Sequence, residues 1–194
     1  MFLRNWKNEL FTIPNLLSLF RLVLIPVYMT IYLDTATPTG HYLAGSILAL
    51  SCLTDLLDGA IARRYAMVTD LGKMLDPLAD KATQLAVTFC LSIRYSILQP
   101  VLLMLVFKEI FQLTAGIVYL RRGQMLAGAL PTGKVCTAVL FISLTALVLF
   151  PRLPTEAVNA LAALDLAVLS ISFLCYTLVF FGKDGQSYFQ DIKE

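Results

Sequence analysis

Four aspartates lie within one short stretch of the chain, in two closely spaced pairs. Asp55 and Asp58 are three residues apart, and Asp76 and Asp80 are four residues apart. Residues three or four positions apart share one face of an α-helix, so each pair presents two carboxylates to one side. The segment between the pairs is short, which makes the two helices antiparallel neighbours. The spacing therefore predicts a site at which four carboxylates converge.

Converging carboxylates repel one another and require a compensating cation. Arg63 and Lys81 are too few and too differently placed to neutralise the group. An all-oxygen ligand set without His or Cys suits hard cations, Mg²⁺ or Mn²⁺. Two such ions would clamp a pyrophosphate and stabilise the leaving oxygen of an in-line displacement. Gly59 and Gly72 fit this chemistry, because a missing side chain lets a ligand approach the backbone. The alternative is that the acids solvate helix ends beside basic neighbours.

The composition indicates that these helices lie in a membrane. Hydrophobic residues make up 58% of the 194 residues and charged residues only 14%, whereas soluble domains carry about 25% charged residues. About 20 apolar residues cross the hydrocarbon core as a helix. We predict one all-α membrane domain over residues 1–194, with an interfacial helix at 1–11, a six-helix bundle within 12–182 and a tail at 183–194. The predicted spans are 13–33, 42–65, 72–94, 97–120, 133–151 and 157–181.

Basic residues are distributed unevenly between the two ends of the predicted spans. With a cytoplasmic N-terminus, the outer segments hold only Arg94 and Arg152, and the inner segments hold ten basic residues. The positive-inside rule then places both termini and the aspartates at the cytoplasmic face of the cell membrane. His41 is expected in a solvated outer loop. A net charge of +2 gives no reason to expect a nucleic-acid partner.

The aspartate segment resembles the signature of the CDP-alcohol phosphatidyltransferases, D-x-x-D-G-x-x-A-R-x8-G-x-x-x-D-x-x-x-D. It matches at every fixed position: Asp55, Asp58, Gly59, Ala62, Arg63, Gly72, Asp76 and Asp80. The resemblance implies that the first three aspartates are principal metal ligands and that Asp80 completes the site and acts as general base. It also implies that Gly59, Ala62, Arg63 and Gly72 line a CDP pocket, and that the protein is a homodimer. The implied reaction is attack by an alcohol on CDP-diacylglycerol with loss of CMP.

Three further segments resemble the bacterial phosphatidylglycerophosphate synthases within that family. They are Ile13–Arg21, with Ser18 in place of a usual Thr; Lys108-Glu109, in place of Arg-Glu; and Gly133–Thr137, in which Val135-Cys136 replaces a second Lys. This resemblance implies glycerol 3-phosphate as the acceptor alcohol. Arg21, Lys108 and Lys134 are cations in the inner halves of predicted spans, and an anionic acceptor would justify their presence there.

Two alternatives remain open at this point. The same chemistry with another acceptor would use phosphatidylglycerol (giving cardiolipin), an inositol phosphate or serine. A divalent-cation transporter would use the carboxylates differently and would need acids along the whole membrane depth. The four aspartates instead cluster at one side, and Asp165 is nearly alone in the outer halves.

Overall fold

The computed structural model describes residues 12–34, 38–64, 72–121, 124–126, 130–181 and 189–191. The predicted interfacial helix at 1–11 lies outside these residues. Six α-helices occupy most of the described chain, and a single 3-10 turn at Ser96–Leu98 precedes the fourth. The helices are α1 (Ile13–Asp34), α2 (Pro38–Arg64), α3 (Gly72–Arg94), α4 (Gln99–Arg121), α5 (Pro131–Leu149) and α6 (Thr155–Phe181).

All six predicted helices are present, in the predicted order. The largest shift is at the start of α2, which begins at Pro38 rather than at residue 42. Proline suits the first position of a helix, because its missing N–H has no partner there and its φ angle is already helical. The same reason explains the start of α5 at Pro131, two residues earlier than the predicted 133.

The helices bury polar side chains and expose apolar ones. On α1, Asn15, Ser18 and Arg21 are buried, whereas Phe20 and Val23 on the opposite side are exposed. A surface helix of a water-soluble protein has the reverse pattern. In lipid this arrangement is the stable one, because an unpaired polar group facing hydrocarbon costs several kcal/mol.

Four helices of the described chain are long and apolar enough to cross a membrane by length and composition. These segments are Asn15–Asp34, Ser96–Tyr119, Pro131–Leu149 and Thr155–Phe181. The expectation of an all-α, multi-pass membrane protein is thereby confirmed. The orientation of its termini stays a prediction.

The chain divides into two compact units, and the predicted single domain stays a prediction. The first unit is Met1–Cys90 with Val148–Pro151. Within it, α1 packs along α2: Tyr32 stacks on Tyr28 with ring centroids 5.6 Å apart and meets the edge of the His41 ring at 5.4 Å. His41 is buried, so its placement in a solvated loop was wrong. Because α2 starts four residues earlier than predicted, the imidazole lies inside the helix pair.

The second unit is Leu91–Leu147 with Arg152–Glu194. Aromatic side chains hold α4 against α6. Phe111 contacts Phe173 edge-on at 5.0 Å, and the Tyr119 O–H donates a hydrogen bond to the carbonyl oxygen of Phe180. Leu130 and Tyr176 are buried beside this aromatic group.

Two short strands also belong to the second unit and were not predicted. Strand β1 (Gln124–Leu126) pairs antiparallel with β2 (Phe189–Asp191). Strand β1 falls between the fourth and fifth predicted spans, and β2 falls in the predicted tail at 183–194. Their pairing satisfies backbone groups that neither segment satisfies alone. It fixes three residues of the predicted tail against the segment that precedes α5.

A glycine in the first turn of α5 gives a test of this packing. A Cβ at Gly133 would lie 2.6 Å from the Tyr176 hydroxyl oxygen, whereas a Cβ at Gly116 of α4 would meet nothing within 4 Å. Tyr176 is buried and cannot move aside without disturbing Phe180. Overpacking of this kind costs about 1–3 kcal/mol, so Gly133→Ala should lower the Tm of the purified protein by roughly 3–10 °C.

Gly116→Ala is the matched control for that variant. It adds the same methyl group within a helix, where Ala is favoured over Gly by up to about 1 kcal/mol. Its Tm should equal or exceed that of the wild type. Equal Tm values for Gly133→Ala and Gly116→Ala would contradict the close packing of α5 on α6.

Candidate functional site

Two of the four predicted metal ligands are described with their side chains, and both lie in the first half of α3. Asp76 and Asp80 are one helical turn apart and therefore lie on the same face. The Ser18 hydroxyl of α1 donates a hydrogen bond to Asp76 Oδ1. The Arg21 guanidinium, one turn further along α1, donates from Nη1 to Asp80 Oδ1. Two successive turns of α1 thus meet two successive turns of α3.

The ion pair between Arg21 and Asp80 is asymmetric in its exposure. The side chain of Arg21 is 2% exposed and that of Asp80 is 48% exposed. A buried guanidinium without an anion would be strongly destabilising, so Asp80 gives Arg21 the charge it needs. The exposed half of the Asp80 side chain leaves the carboxylate accessible to a ligand or to an acceptor hydroxyl.

The other predicted site residues lie outside the described side chains. Asp55, Asp58, Gly59, Ala62 and Arg63 fall in the last three turns of α2, whose backbone is helical, and Gly72 begins α3. No group of three or more His, Cys, Asp or Glu occurs among the side chains that are described. The described part of the site contributes carboxylate oxygens only, and such donors suit Mg²⁺ or Mn²⁺.

A predicted acceptor cation, Lys108, is buried in the second unit. Its Nζ lies 3.0 Å from Glu109 Oε1 and 6.0 Å from the centre of the Tyr176 ring. Glu109, named in the sequence analysis only as part of a motif, is therefore the ion-pair partner of Lys108. A carboxylate and an aromatic face together stabilise the buried ammonium.

Lys134 is the other predicted acceptor cation in this unit, and the first turn of α5, to which it belongs, approaches Tyr176. Gly133 packs against the Tyr176 hydroxyl, and Lys134 is exposed in the first turn of α5. The first backbone N–H groups of a helix and its macrodipole favour an anion. Thr132 Oγ1 is buried and has no hydrogen-bond partner among the described residues. The structure therefore brings Lys108 and the start of α5 together at Tyr176.

Several contacts could not be found from sequence reasoning. Tyr176 carried no motif signal, and its role in joining α4 to α5 appears only in the fold. Asp165 is fully buried in α6 and accepts a hydrogen bond of 2.7 Å from the Ser143 hydroxyl of α5. Its isolation among apolar residues was the only sequence signal, and that signal did not identify its partner.

Comparison with known proteins extends the match well beyond the aspartates. The sequence model of the CDP-alcohol phosphatidyltransferase family matches residues 11–178. A CDP-diacylglycerol–glycerol-3-phosphate 3-phosphatidyltransferase of Bacillus subtilis is 33% identical over 163 residues, covering 77% of this chain and 82% of the relative. The enzyme of the same name from Aquifex aeolicus is 34% identical over 180 residues, covering 86% of this chain and 94% of the relative.

A relative named for a different reaction matches over a shorter region. A probable cardiolipin synthase (CMP-forming) of Drosophila melanogaster is 39% identical over 120 residues. The match covers 60% of this chain and 35% of the relative. The chain thus spans about a third of that protein's length.

Proposed function

The chain belongs to the CDP-alcohol phosphatidyltransferase family, and from this premise we propose that it transfers the phosphatidyl group of CDP-diacylglycerol to glycerol 3-phosphate. The products are CMP and phosphatidylglycerol phosphate. The observation that carries the proposal is the near full-length match to the Aquifex aeolicus enzyme named for this reaction. A membrane protein whose carboxylates can hold divalent cations is suited to bind the pyrophosphate of a lipid-linked nucleotide.

The proposed chemistry uses the aspartates in two roles. Asp55, Asp58 and Asp76, with Asp80 completing the set, would hold two divalent cations. When bound, these cations neutralise the charge on the pyrophosphate and on the departing CMP. Asp80 accepts the proton of the acceptor hydroxyl, whose oxygen forms a bond to the lipid-side phosphorus while the bond from that phosphorus to the CMP oxygen breaks. The carboxylate of Asp80 is exposed enough to accept a proton from the acceptor hydroxyl.

The nucleotide pocket is proposed from the family motif. Gly59 and Gly72 would let the CDP phosphates approach the backbone, and Ala62 would leave room beside them. Arg63 would supply a positive charge for the pyrophosphate. A guanidinium binds phosphate through two parallel hydrogen bonds, which also fix its orientation.

The glycerol 3-phosphate assignment draws on the start of α5. Lys134, the first N–H groups of α5 and Thr132 Oγ1 provide donors for a phosphate, and the ammonium of Lys108, which is paired with Glu109, lies close by as a further donor. Arg21 remains a predicted acceptor contact, although one of its nitrogens already donates to Asp80. A small phosphorylated alcohol needs such cations more than a neutral hydroxyl of a second lipid does.

Cardiolipin formation from phosphatidylglycerol is the second candidate, and the Drosophila melanogaster relative favours it. The two candidates share every step at CDP-diacylglycerol and differ only in the acceptor. A divalent-cation transporter is not supported by the family match. A homodimer and a cytoplasmic active site complete the proposal.

Substitution of single aspartates tests the division of roles. Asp76→Asn should abolish CMP release and weaken CDP-diacylglycerol binding, because it removes a ligand charge. Asp80→Asn should keep binding closer to the wild type while turnover falls by roughly 10²-fold or more, the usual contribution of a general base. Binding is measured by titration with the nucleotide lipid, and turnover by CMP release.

Asp34→Asn is the matched control for both variants, because Asp34 is an exposed acid at the far end of α1. It should leave turnover unchanged. Equal loss of binding in Asp76→Asn and Asp80→Asn would reduce Asp80 to an ordinary ligand. Full activity of Asp76→Asn would contradict the proposed metal site.

The acceptor assignment is tested at Lys134. Lys134→Ala should raise the KM for glycerol 3-phosphate by roughly 10-fold or more, because a charge-assisted hydrogen bond contributes about 1.5–3 kcal/mol. The KM for CDP-diacylglycerol should not change. Arg152→Ala, which removes an exposed cation before α6, is the control and should alter neither value. A wild type that ignores glycerol 3-phosphate but makes cardiolipin from phosphatidylglycerol would overturn the acceptor assignment alone.

A further inference from the structure

We propose that Ser18 and Arg21 are positioning residues that hold the carboxylates of Asp76 and Asp80 for metal binding. This inference rests on the proposed function and adds α1 to the residues that build its metal site. Ser18 and Arg21 together with Asp76 and Asp80 form the α1–α3 clasp, two side-chain contacts that join these helices.

The geometry of the clasp matches one helix to the other. Ser18 and Arg21 are three apart on α1, and Asp76 and Asp80 are four apart on α3. Both hydrogen bonds run in the same order along the two helices. Two contacts one turn apart fix both the separation and the rotation of α3 against α1, which a single contact would not do.

Burial shows that α1 is the rigid side of the clasp. Ser18 is fully buried and Arg21 is 2% exposed, so neither donor can change its direction freely. Asp76 is half-buried, and the side chain of Asp80 is 48% exposed. Each carboxylate is therefore anchored at one oxygen by a buried donor and keeps accessible surface for a ligand.

The two donors have different effects on the carboxylates. The Ser18 hydroxyl is neutral and fixes the direction of Asp76, as residues behind a metal ligand commonly do. Arg21 carries a positive charge and offsets the repulsion among the aspartates before any metal is present. A divalent cation then competes with Arg21 for the carboxylate of Asp80. At Asp76 the same cation binds more tightly, because Ser18 already holds the carboxylate in one orientation.

This difference predicts that loss of the Ser18 hydroxyl weakens Mn²⁺ binding, whereas loss of the Arg21 charge increases the stabilisation that Mn²⁺ gives. Ser18→Ala should weaken Mn²⁺ binding by roughly 10-fold, the lower end of the range for loss of a group that orients a ligand. Ser18→Thr keeps a hydroxyl and should restore binding to within about threefold of the wild type. Mn²⁺ binding is measured by electron paramagnetic resonance on the purified full chain, without lipid substrate or acceptor.

Arg21→Met keeps the length of the side chain and removes its charge. In metal-free protein it should lower the Tm by roughly 5 °C or more, because the positive charge of Arg21 no longer offsets the repulsion between Asp80 and the other acids. Added Mn²⁺ should raise the Tm of this variant by more than it raises that of the wild type. A purely structural Arg21 would lower the Tm equally with and without Mn²⁺.

Thr30→Ala is the matched control on α1. Its hydroxyl is exposed and donates to the carbonyl oxygen of Val27 in the same helix, 3.0 Å away. It should change neither Mn²⁺ binding nor the Tm. Arg94→Met removes an exposed arginine at the other end of α3 and should also leave both measurements unchanged.

The possible failures are distinguishable. Normal Mn²⁺ binding in Ser18→Ala, together with an unchanged Mn²⁺-induced rise in Tm in Arg21→Met, would overturn the clasp while the proposed function stands. Absence of Mn²⁺ binding in the wild type would overturn the proposed metal site, and the clasp with it. If Arg21→Met does not fold, Arg21→Lys replaces it, because a lysine keeps the charge but not the fork geometry. Because its contact with Asp80 is weaker, this variant should show a larger Mn²⁺-induced rise in Tm than the wild type, and a rise equal to that of the wild type would overturn the role of Arg21.

Discussion

A charged or hydrogen-bonding side chain cannot face hydrocarbon alone, and this constraint determines where the polar residues of this chain lie. Burying polar groups among helices costs less than exposing them to lipid tails. Arg21 consequently meets Asp80, Asp165 meets Ser143, and Lys108 meets Glu109. The apolar residues then cover the outer faces of the helices, in the opposite arrangement to that of a soluble protein.

The helices could be predicted because membrane spans are encoded by long apolar runs and by Pro and Gly at their ends. Pro38 and Pro131 also account for two of the three starts that were placed too late, and the third is the start of α6 at Thr155. Asp76 and Asp80 could be assigned to one face because an i, i+4 spacing is a local property of a helix. Metal binding by these carboxylates stays a prediction, which rests on the residue types alone.

Pairing between helices could not be predicted in the same way, because one sequence does not show which faces meet. Ser18 belonged to a recognised motif, but its contact with Asp76 depends on the rotation of α1 against α3. Burial of His41 depends on its edge contact with Tyr32, and the pairing of β1 with β2 joins segments that are far apart in the chain. The role of Tyr176 is visible only in the fold, where the first turn of α5 packs against its hydroxyl at Gly133.

The two groups of site residues have different physical demands. The proposed metal site requires a concentration of negative charge, and the contacts of Ser18 and Arg21 with Asp76 and Asp80 would make that concentration tolerable in the absence of a ligand. The proposed acceptor site around Tyr176 requires hydrogen-bond donors and positive charge instead, to which Lys108, Lys134 and the start of α5 contribute. An enzyme that transfers the phosphatidyl group of a lipid-linked nucleotide to a phosphorylated alcohol, with release of CMP, requires both kinds of surface.

The most direct measurement is made on the purified wild-type chain in lipid nanodiscs with CDP-diacylglycerol and glycerol 3-phosphate. CMP release and the mass of the product lipid are followed after chelation and again after Mn²⁺ is restored. Phosphatidyl transfer by a metal-dependent site predicts equal amounts of CMP and phosphatidylglycerol phosphate, formed only when both the metal and the acceptor are present. Release of CMP that is indifferent to the chelator, or no transfer to any alcohol with Mn²⁺ present, would contradict it.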